Sequence, residues 1–270
     1  MTVQGTEPTW SEADLAQAIR DHLRLQVIAT GHVAPHGAVH VTDHAVMASV
    51  GEPSLFNRAT ALSFGQPDVA LSEVERFFGD LPHSLWLDLD DVTDEADDVL
   101  RQRGYVALPN QHGMALAPVE LDAGAADAAL HAELLTEPSD AAAVADVAAT
   151  GYGTGVEDRL FLEDLARAVL RHARPWDHGA IYGVREKGVL VSTGVLLCTK
   201  DVAGLTGLAT VPRARDRHLA SAVTARALSD ARALGMRAAV TLATPDSEPA
   251  MRRLGFRTLV DYRVYRQASA

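Results

Sequence analysis

Lysine is almost missing from this chain of 270 residues: only Lys187 and Lys200 carry it, and arginine supplies nearly all the positive charge. Even so, acidic residues prevail, and the formal net charge is -12. A chain this acidic gains little from counterion release on nucleic acid or from an anionic membrane surface, so neither is an expected partner. There is one cysteine, Cys198, which excludes a disulfide framework within the chain and fits a reducing compartment. It sits in the apolar run Val195-Leu196-Leu197-Cys198 and reads as a small buried hydrophobe rather than a nucleophile. No apolar run reaches the roughly 18 residues that a membrane helix needs. Met1 to Pro8 lacks a basic region followed by an apolar stretch, so no secretory signal is evident and a soluble cytoplasmic protein is expected. What is present in quantity is apolar surface. Hydrophobic residues make up 47%, enough for a substantial core in one large or two ordinary domains.

Periodicity divides the chain into alternating elements. Ser11 with Asp14 three residues on has the form of a capping box, and Leu15, Ile19, Leu23 and Val27 follow at helical spacing. The Gly/His/Pro stretch from Gly31 to Gly37 breaks that pattern. Val39, Val41, Val46 and Val50 predict a hairpin, Asn57 to Phe64 a strand, Glu73 to Phe78 a short helix capped by Ser72, and His83 to Leu89 a strand. Asp94 to Arg103 reads as helix and Gly104 to about Ala117 as strand. Leu121 to Thr136, rich in Ala and Asp with weak periodicity, is expected to connect two halves. Beyond it, Ser139 is expected to cap a helix through Ala149, followed by a helix over Arg159 to His172 and strands over Gly179 to Arg185, Val189 to Thr199 and Leu205 to Val211. A helix over Leu219 to Leu234, a strand over Ala238 to Ala243, a short helix over Glu248 to Leu254 and a strand over Phe256 to Tyr265 complete the chain. Both halves repeat one order of elements, which suggests duplication. The periodicity alone supports a mixed α/β fold.

Two segments carry a family resemblance. Gly207-Leu208-Ala209-Thr210-Val211-Pro212-Arg213-Ala214-Arg215, followed by a helix, and Met251-Arg252-Arg253-Leu254-Gly255-Phe256, about thirty residues on, together resemble the core of the GCN5-related N-acetyltransferases. The resemblance covers Pro138 to Gln267 well. Ser54-Leu55-Phe56-Asn57-Arg58-Ala59, Ser84-Leu85-Trp86-Leu87, Arg103-Gly104-Tyr105 and Met114-Ala115-Leu116 are similar to the degenerate first copy of bacterial tandem acetyltransferases. It implies a tandem acyltransferase fold, α/β with a mixed sheet: a degenerate first domain over 1–120, a connector over 121–137, and a second domain over 138–270. The first copy has no recognisable CoA loop, and its implied role is to complete the sheet and wall the substrate cleft.

In that family, a strand ends near the thioester and the following loop and helix N-terminus bind the CoA pyrophosphate. The resemblance therefore implies an acyl-CoA cofactor, acetyl-CoA by default. It assigns Ala209, Thr210 and Val211 to the pantetheine and thioester, with Arg213, Arg215, Arg217, His218, Leu219, Ala220 and Ser221 around the diphosphate. Unpaired amides and the helix dipole favour an anion there. Against the family pattern Arg/Gln-x-x-Gly-x-Gly/Ala, Arg215 and Ala220 match, while His218 stands where glycine is expected. Asp216 brings a carboxylate that is able to cap the helix and to repel the diphosphate, by about 1 kcal/mol at 4 Å in water and about 4 at a protein surface. The family's general-acid tyrosine aligns with Met251, which has no proton to give. Leu205-Thr206-Gly207 carries no carboxylate to act as base.

Other candidates stand beside these. Glu248, with Asp246 and Ser247, can bring a carboxyl group to the short helix or form its cap and solvated first turn. Trp176-Asp177-His178 precedes a strand that borders the acceptor site in this fold, so His178 is a candidate base and equally a loop residue. His32, His36, His40 and His44 recur every four residues, but Pro35 and Gly37 exclude a regular helix, and no metal is expected. The acidic run Asp88, Asp90, Asp91 and Asp94 either attracts a cationic acceptor or is a solvated strand end. The leading expectation is a CoA-dependent N-acyltransferase acting on the amine of a small molecule, with acceleration from proximity and carbonyl polarisation. Two rivals stay open. One is a CoA-independent rearrangement, elimination or cyclisation on the same fold with His218 or Asp216 as acid or base. The other is a non-catalytic small-molecule binding or immunity protein. A homodimer is also left open.

Overall fold

The computed structural model describes residues 10–52, 54–60, 67–122, 131–171 and 179–267, together with 124 and 129. Its centre is a single 11-stranded mixed sheet. The chain enters through α1 (Glu12–Val33), where Ser11 and Asp14 close the expected capping box, Asp14 Oδ2 taking the Ser11 amide at 3.2 Å. Gly31 does not end this helix. It lies against Ala38 and Val39, where a Cβ would come within 2.6 Å of either, so glycine lets the last turn of α1 pack on the next strand.

The first half continues with β1 (Ala38–Val41), β2 (Val46–Ser49), β3 (Arg58–Thr60), α2 (Pro67–Phe78), β4 (Ser84–Asp88), α3 (Asp94–Gln102) and β5 (Tyr105–Leu116). Ser72 does not cap α2. It sits inside the helix and its hydroxyl donates back to the Asp68 carbonyl at 2.7 Å, a local bond that a serine makes equally well mid-helix. The strand expected over Asn57 to Phe64 is β3 over Arg58–Thr60, with 61–66 outside the described residues. The expected connector contains β6 (Glu133–Leu135), which forms one edge of the sheet.

The second half runs α4 (Ala141–Tyr152), α5 (Val156–Leu170), β7 (Ala180–Glu186), β8 (Val189–Thr199), β9 (Val202–Thr210), α6 (Leu219–Ala233), β10 (Ala238–Ala243), α7 (Glu248–Arg253) and β11 (Arg257–Gln267). Ser139 does not cap α4, whose N-cap is Asp140 with no side-chain bond.

The strand order is β1-β2-β3-β4-β11-β5-β10-β9-β8-β7-β6. Each half holds one parallel pair joined through a helix, β3 with β4 across α2 and β9 with β10 across α6. The last strand of each half then enters the other: β5 pairs with both β10 and β11, and β11 with both β4 and β5. Leu205, Ala239, Ala243, Met251 and Phe256 contribute to one buried cluster, while Val202, Ala238, Val240, Val260 and Tyr262 join Leu15, Ile19 and Leu23 of α1 in another. Alternation along β9 and β10 sends neighbouring residues to opposite faces.

One contact ties α1 to β9 with little tolerance. A Cβ on Gly204 would stand 2.1 Å from two atoms of the buried His22 ring. Gly204→Ala is expected to destabilise the fold by about 1–3 kcal/mol through overpacking. Adding His22→Ala should return most of that loss, and a double-mutant cycle by denaturant unfolding reads the coupling.

Candidate active site

The site begins where β9 and β10 part. Their parallel pairing runs from Ala238↔Val202 to Thr241↔Leu205 and stops, although β10 continues to Ala243 and β9 to Thr210. Just past the last pair, β9 carries a bulge against β8, where the register jumps from Val195↔Thr206 to Thr193↔Ala209. Gly207 takes the left-handed φ of +63° there. A glycine bulge bends a strand and re-aims the residues beyond it. The edges of β9 and β10 past Leu205 and Thr241 thus face one another without a shared ladder, leaving backbone donors and acceptors for a bound chain.

The loop beyond β9 is held from below and open above. Pro212–Ala214 forms a short 3-10 turn with Ala214 buried. Asp216 and His218 both adopt left-handed backbone, φ +60° and +58°. His218 is the N-cap of α6, and no side chain caps that helix. The first amides of α6, on Leu219, Ala220 and Ser221, therefore have neither an intrahelical acceptor nor a cap. The expectation that Asp216 would cap the helix is not met: its left-handed backbone precedes the N-cap by two residues, and its carboxylate bonds none of these amides.

The three arginines have different duties. Arg215 staples the loop, with Nη2 donating to the Gly151 carbonyl at 2.8 Å and Nε to the Thr210 carbonyl at 3.4 Å. Arg217 pairs with Glu186 at 2.6 Å. Arg213 has no ion-pair partner among the described residues and stands exposed beside the loop. His218 holds a conformation that glycine adopts without steric cost. His218→Gly is expected to raise stability by up to about 1 kcal/mol, the relief of a strained left-handed residue less the added freedom of the unfolded chain. Thermal unfolding should show a midpoint about 2–4 °C higher.

On the α7 side, Met251 is buried and packed in the core, so no proton donor replaces the family tyrosine at that position. Glu248 accepts from Arg252 at 2.6 and 2.9 Å and from Thr258 at 3.0 Å. The Arg252 bond, then that of Thr258, holds its carboxyl below the usual range, so Glu248 is ionised at neutral pH and is no general acid. Ser247 sits at the N-cap without capping α7; its hydroxyl accepts the Thr244 amide at 2.9 Å.

Beside Glu248 stands a histidine that the sequence did not single out. His112 Nδ1 lies 2.6 Å from Asp261 Oδ1, and Nε2 lies 3.7 Å from Glu248 Oε2. His112 opposes Ala243 across β5–β10 and Asp261 across β5–β11. It therefore sits beside the stretch of β10 that has left β9. His112 and Asp261 are 149 positions apart, and only the insertion of β5 between β10 and β11 joins them.

The other candidates do not join this site. His178, with Trp176 and Asp177, lies outside the described residues. Burial pushes the Cys198 thiol up, away from nucleophilic thiolate. His44 Nδ1 sits 3.3 Å from Glu73, at a depression of about 410 Å³ lined by His40, Thr42, Glu73, Arg76 and Phe77 in the first half. Among the described residues no group of three or more His, Cys, Asp or Glu is placed to hold a metal ion. In the acidic run, Asp88 takes Arg20 at 2.6 Å. No described helix is long and apolar enough to cross a membrane.

A parallel strand pair that parts just before a glycine bulge, with the first strand leading to an uncapped helix, belongs to a mixed α/β fold similar to that of solved GCN5-related N-acetyltransferases. Three solved structures show the likeness across both halves. A GCN5-related N-acetyltransferase from Kribbella flavida superposes with TM-score 0.63 at 20% identity over 91% of this chain and 96% of that one. A GCN5-related N-acetyltransferase-like protein from Streptococcus suis 89/1591 gives 0.58 at 15% identity over 94% and 100%. A third, from Sphaerobacter thermophilus, gives 0.57 at 13% identity over 96% and 93%. No protein-family model and no curated protein matches the sequence.

Proposed function

We propose that the protein is a coenzyme-A-dependent N-acyltransferase, with acetyl-CoA the default donor, acting on the amine of a small molecule. The observation that carries this reading is the β9–β10 parting followed along the chain by the uncapped start of α6. The amides of Leu219, Ala220 and Ser221 and the free cation of Arg213 suit a diphosphate, and Arg215 fixes the loop that presents them. In this reading the backbone of Ala209 to Val211 takes the pantetheine arm. Bound acyl-CoA supplies an activated thioester carbonyl for an amine to attack.

This chain's own contribution is position and polarisation by backbone donors. His112 offers an imidazole next to α7, the helix on which Met251 has no proton to give; with Nδ1–H donated to Asp261, Nε2 is the accepting nitrogen of the neutral ring. In the same reading, 1–120 is the copy that completes the sheet, 121–137 the connector and 138–270 the copy that carries the cofactor loop. The test is acyl transfer from acetyl-CoA to a broad panel of small amines, followed by release of the free thiol. Amine-dependent thiol release is expected. A flat response across the panel, with no binding of acetyl-CoA either, would sink the reading.

A further inference from the structure

One half-buried cation has no carboxylate partner among the described residues. Arg58 opens β3, opposite Ala48 of β2 and Ser84 of β4. Its neighbour Ala59 faces the core formed with α2, so alternation turns Arg58 to the other face, the one α1 packs on. There the guanidinium lies over the Trp86 ring, 4.0 Å from its centroid, and Trp86 is held by an Nε1 bond to Ser84 Oγ at 3.2 Å. Arg58 Nε is buried with no hydrogen-bond partner among the described residues. No described aspartate or glutamate acts on it. The titrating group that does is the Tyr152 phenol, and desolvation, the larger effect, lowers the arginine to about 10, so it remains charged at neutral pH. Arg58 as a residue is half-buried, so a charge held partly inside the fold with no described carboxylate beside it is a ready partner for an anion.

Its location says what completes it. Tyr152 is the last residue of α4, and its hydroxyl lies 3.9 Å from where a Cβ on Gly207 would stand. Tyr152 therefore links Arg58 to the bulge at which β9 leaves β10. Tyr152 is 41% exposed, and its phenol meets a ligand as a neutral hydroxyl able to donate. With one guanidinium face on Trp86 and Nε enclosed, the Nη1–Nη2 end is left to take two oxygens side by side, the geometry a carboxylate offers.

We propose that Arg58, supported by Trp86 and Tyr152, is the carboxylate-binding element of the acceptor site, so that the acceptor is an amino acid or similar amino-carboxylate. This rests on the acyl-transfer reading for the amine but not for the carboxylate. The carboxylate anchored at Arg58 would direct the amine past Tyr152 toward Gly207 and the strand parting.

The experiment titrates the full chain with free amino acids and their matched amides by calorimetry, in native protein, Arg58→Gln and Arg58→Lys, and then assays the same compounds for acylation by acetyl-CoA. In native protein, at least one acid is expected to bind about 10- to 100-fold more tightly than its amide, the worth of a charged hydrogen-bonded pair. Arg58→Gln should abolish that preference while binding acetyl-CoA as native does. Arg58→Lys, which keeps the charge but not the fork, should retain part of it and shows that the effect is not misfolding. Equal binding of acids and amides, no binding of either, or a preference that survives Arg58→Gln would overturn the proposal. Acids that bind through Arg58 but are never acylated would leave the carboxylate site standing and refute the acyltransferase reading instead.

Discussion

Ala220→Glu is expected to weaken acetyl-CoA binding on the order of 1,000-fold while leaving the fold as stable as native or slightly more so. The residue lies in the first turn of α6, where no side chain caps the helix and Ala220 is one of three residues with an unpaired amide. A carboxylate introduced there occupies the place proposed for a diphosphate. Two unit charges 4 Å apart at an effective dielectric near 20 repel by about 4 kcal/mol, which sets the expected loss in Kd. For the helix the same charge is favourable, since an anion near an N-terminus stabilises it by about 0.3–1 kcal/mol. Stability and binding should thus move in opposite senses, which a merely disruptive substitution would not do. Calorimetry with acetyl-CoA beside a denaturant titration checks both, and a variant that binds like native would remove α6 from the site.

Acidification is expected to cost the fold about 3 kcal/mol between pH 6.5 and pH 4 from His22 alone, the free-energy equivalent of its pKa displacement. Burial on the inner face of α1 against Gly204 pushes this imidazole down to about 4, partly offset by a backbone hydrogen bond with Leu205. The sign follows from proton uptake. In the unfolded chain the ring protonates near pH 6.5, whereas in the folded chain it stays neutral until about pH 4. The unfolded state binds the extra proton throughout that window, so stability is complete above it and falls as pH falls through it. His83, buried between Phe78 and Tyr105 and also lowered by desolvation, adds a loss of the same sign. His22→Gln isolates the first contribution: unfolding free energies of native and variant should converge as pH drops from 7 to 4. Parallel curves would mean that the ring titrates alike in both states.

Local signals in the sequence located much of this architecture. The Ser11–Asp14 box, the start of α6 at Leu219, the bounds of β10 and the Leu254-Gly255-Phe256 turn each depend on residues within a few positions of one another, and the structure has them as expected. Where the reading failed, the deciding contact was distant or ambiguous. Ser72 has the residue type of a cap but bonds the Asp68 carbonyl inside α2. β6 is three residues of a weakly patterned stretch, and its pairing with β7 makes it a strand. The exchange of β5 and β11 leaves no periodic trace, and it creates the His112–Asp261 pair. At His218 the family glycine was legible as missing, and the backbone there still takes the glycine conformation. Arg58 stands in the segment Ser54 to Ala59, where nothing local marks its guanidinium as lacking a carboxylate partner; its setting is made by the distant Trp86 and Tyr152.

The measurement that bears most directly on the account is a calorimetric titration of the native protein with acetyl-CoA, with Ala220→Glu alongside. Binding with a Kd of about 1–100 µM, lost in the variant, is the predicted result. No binding by native protein at millimolar acetyl-CoA would contradict it, and the left-handed His218 and Asp216 would then mark a closed cradle on a fold that uses no coenzyme A.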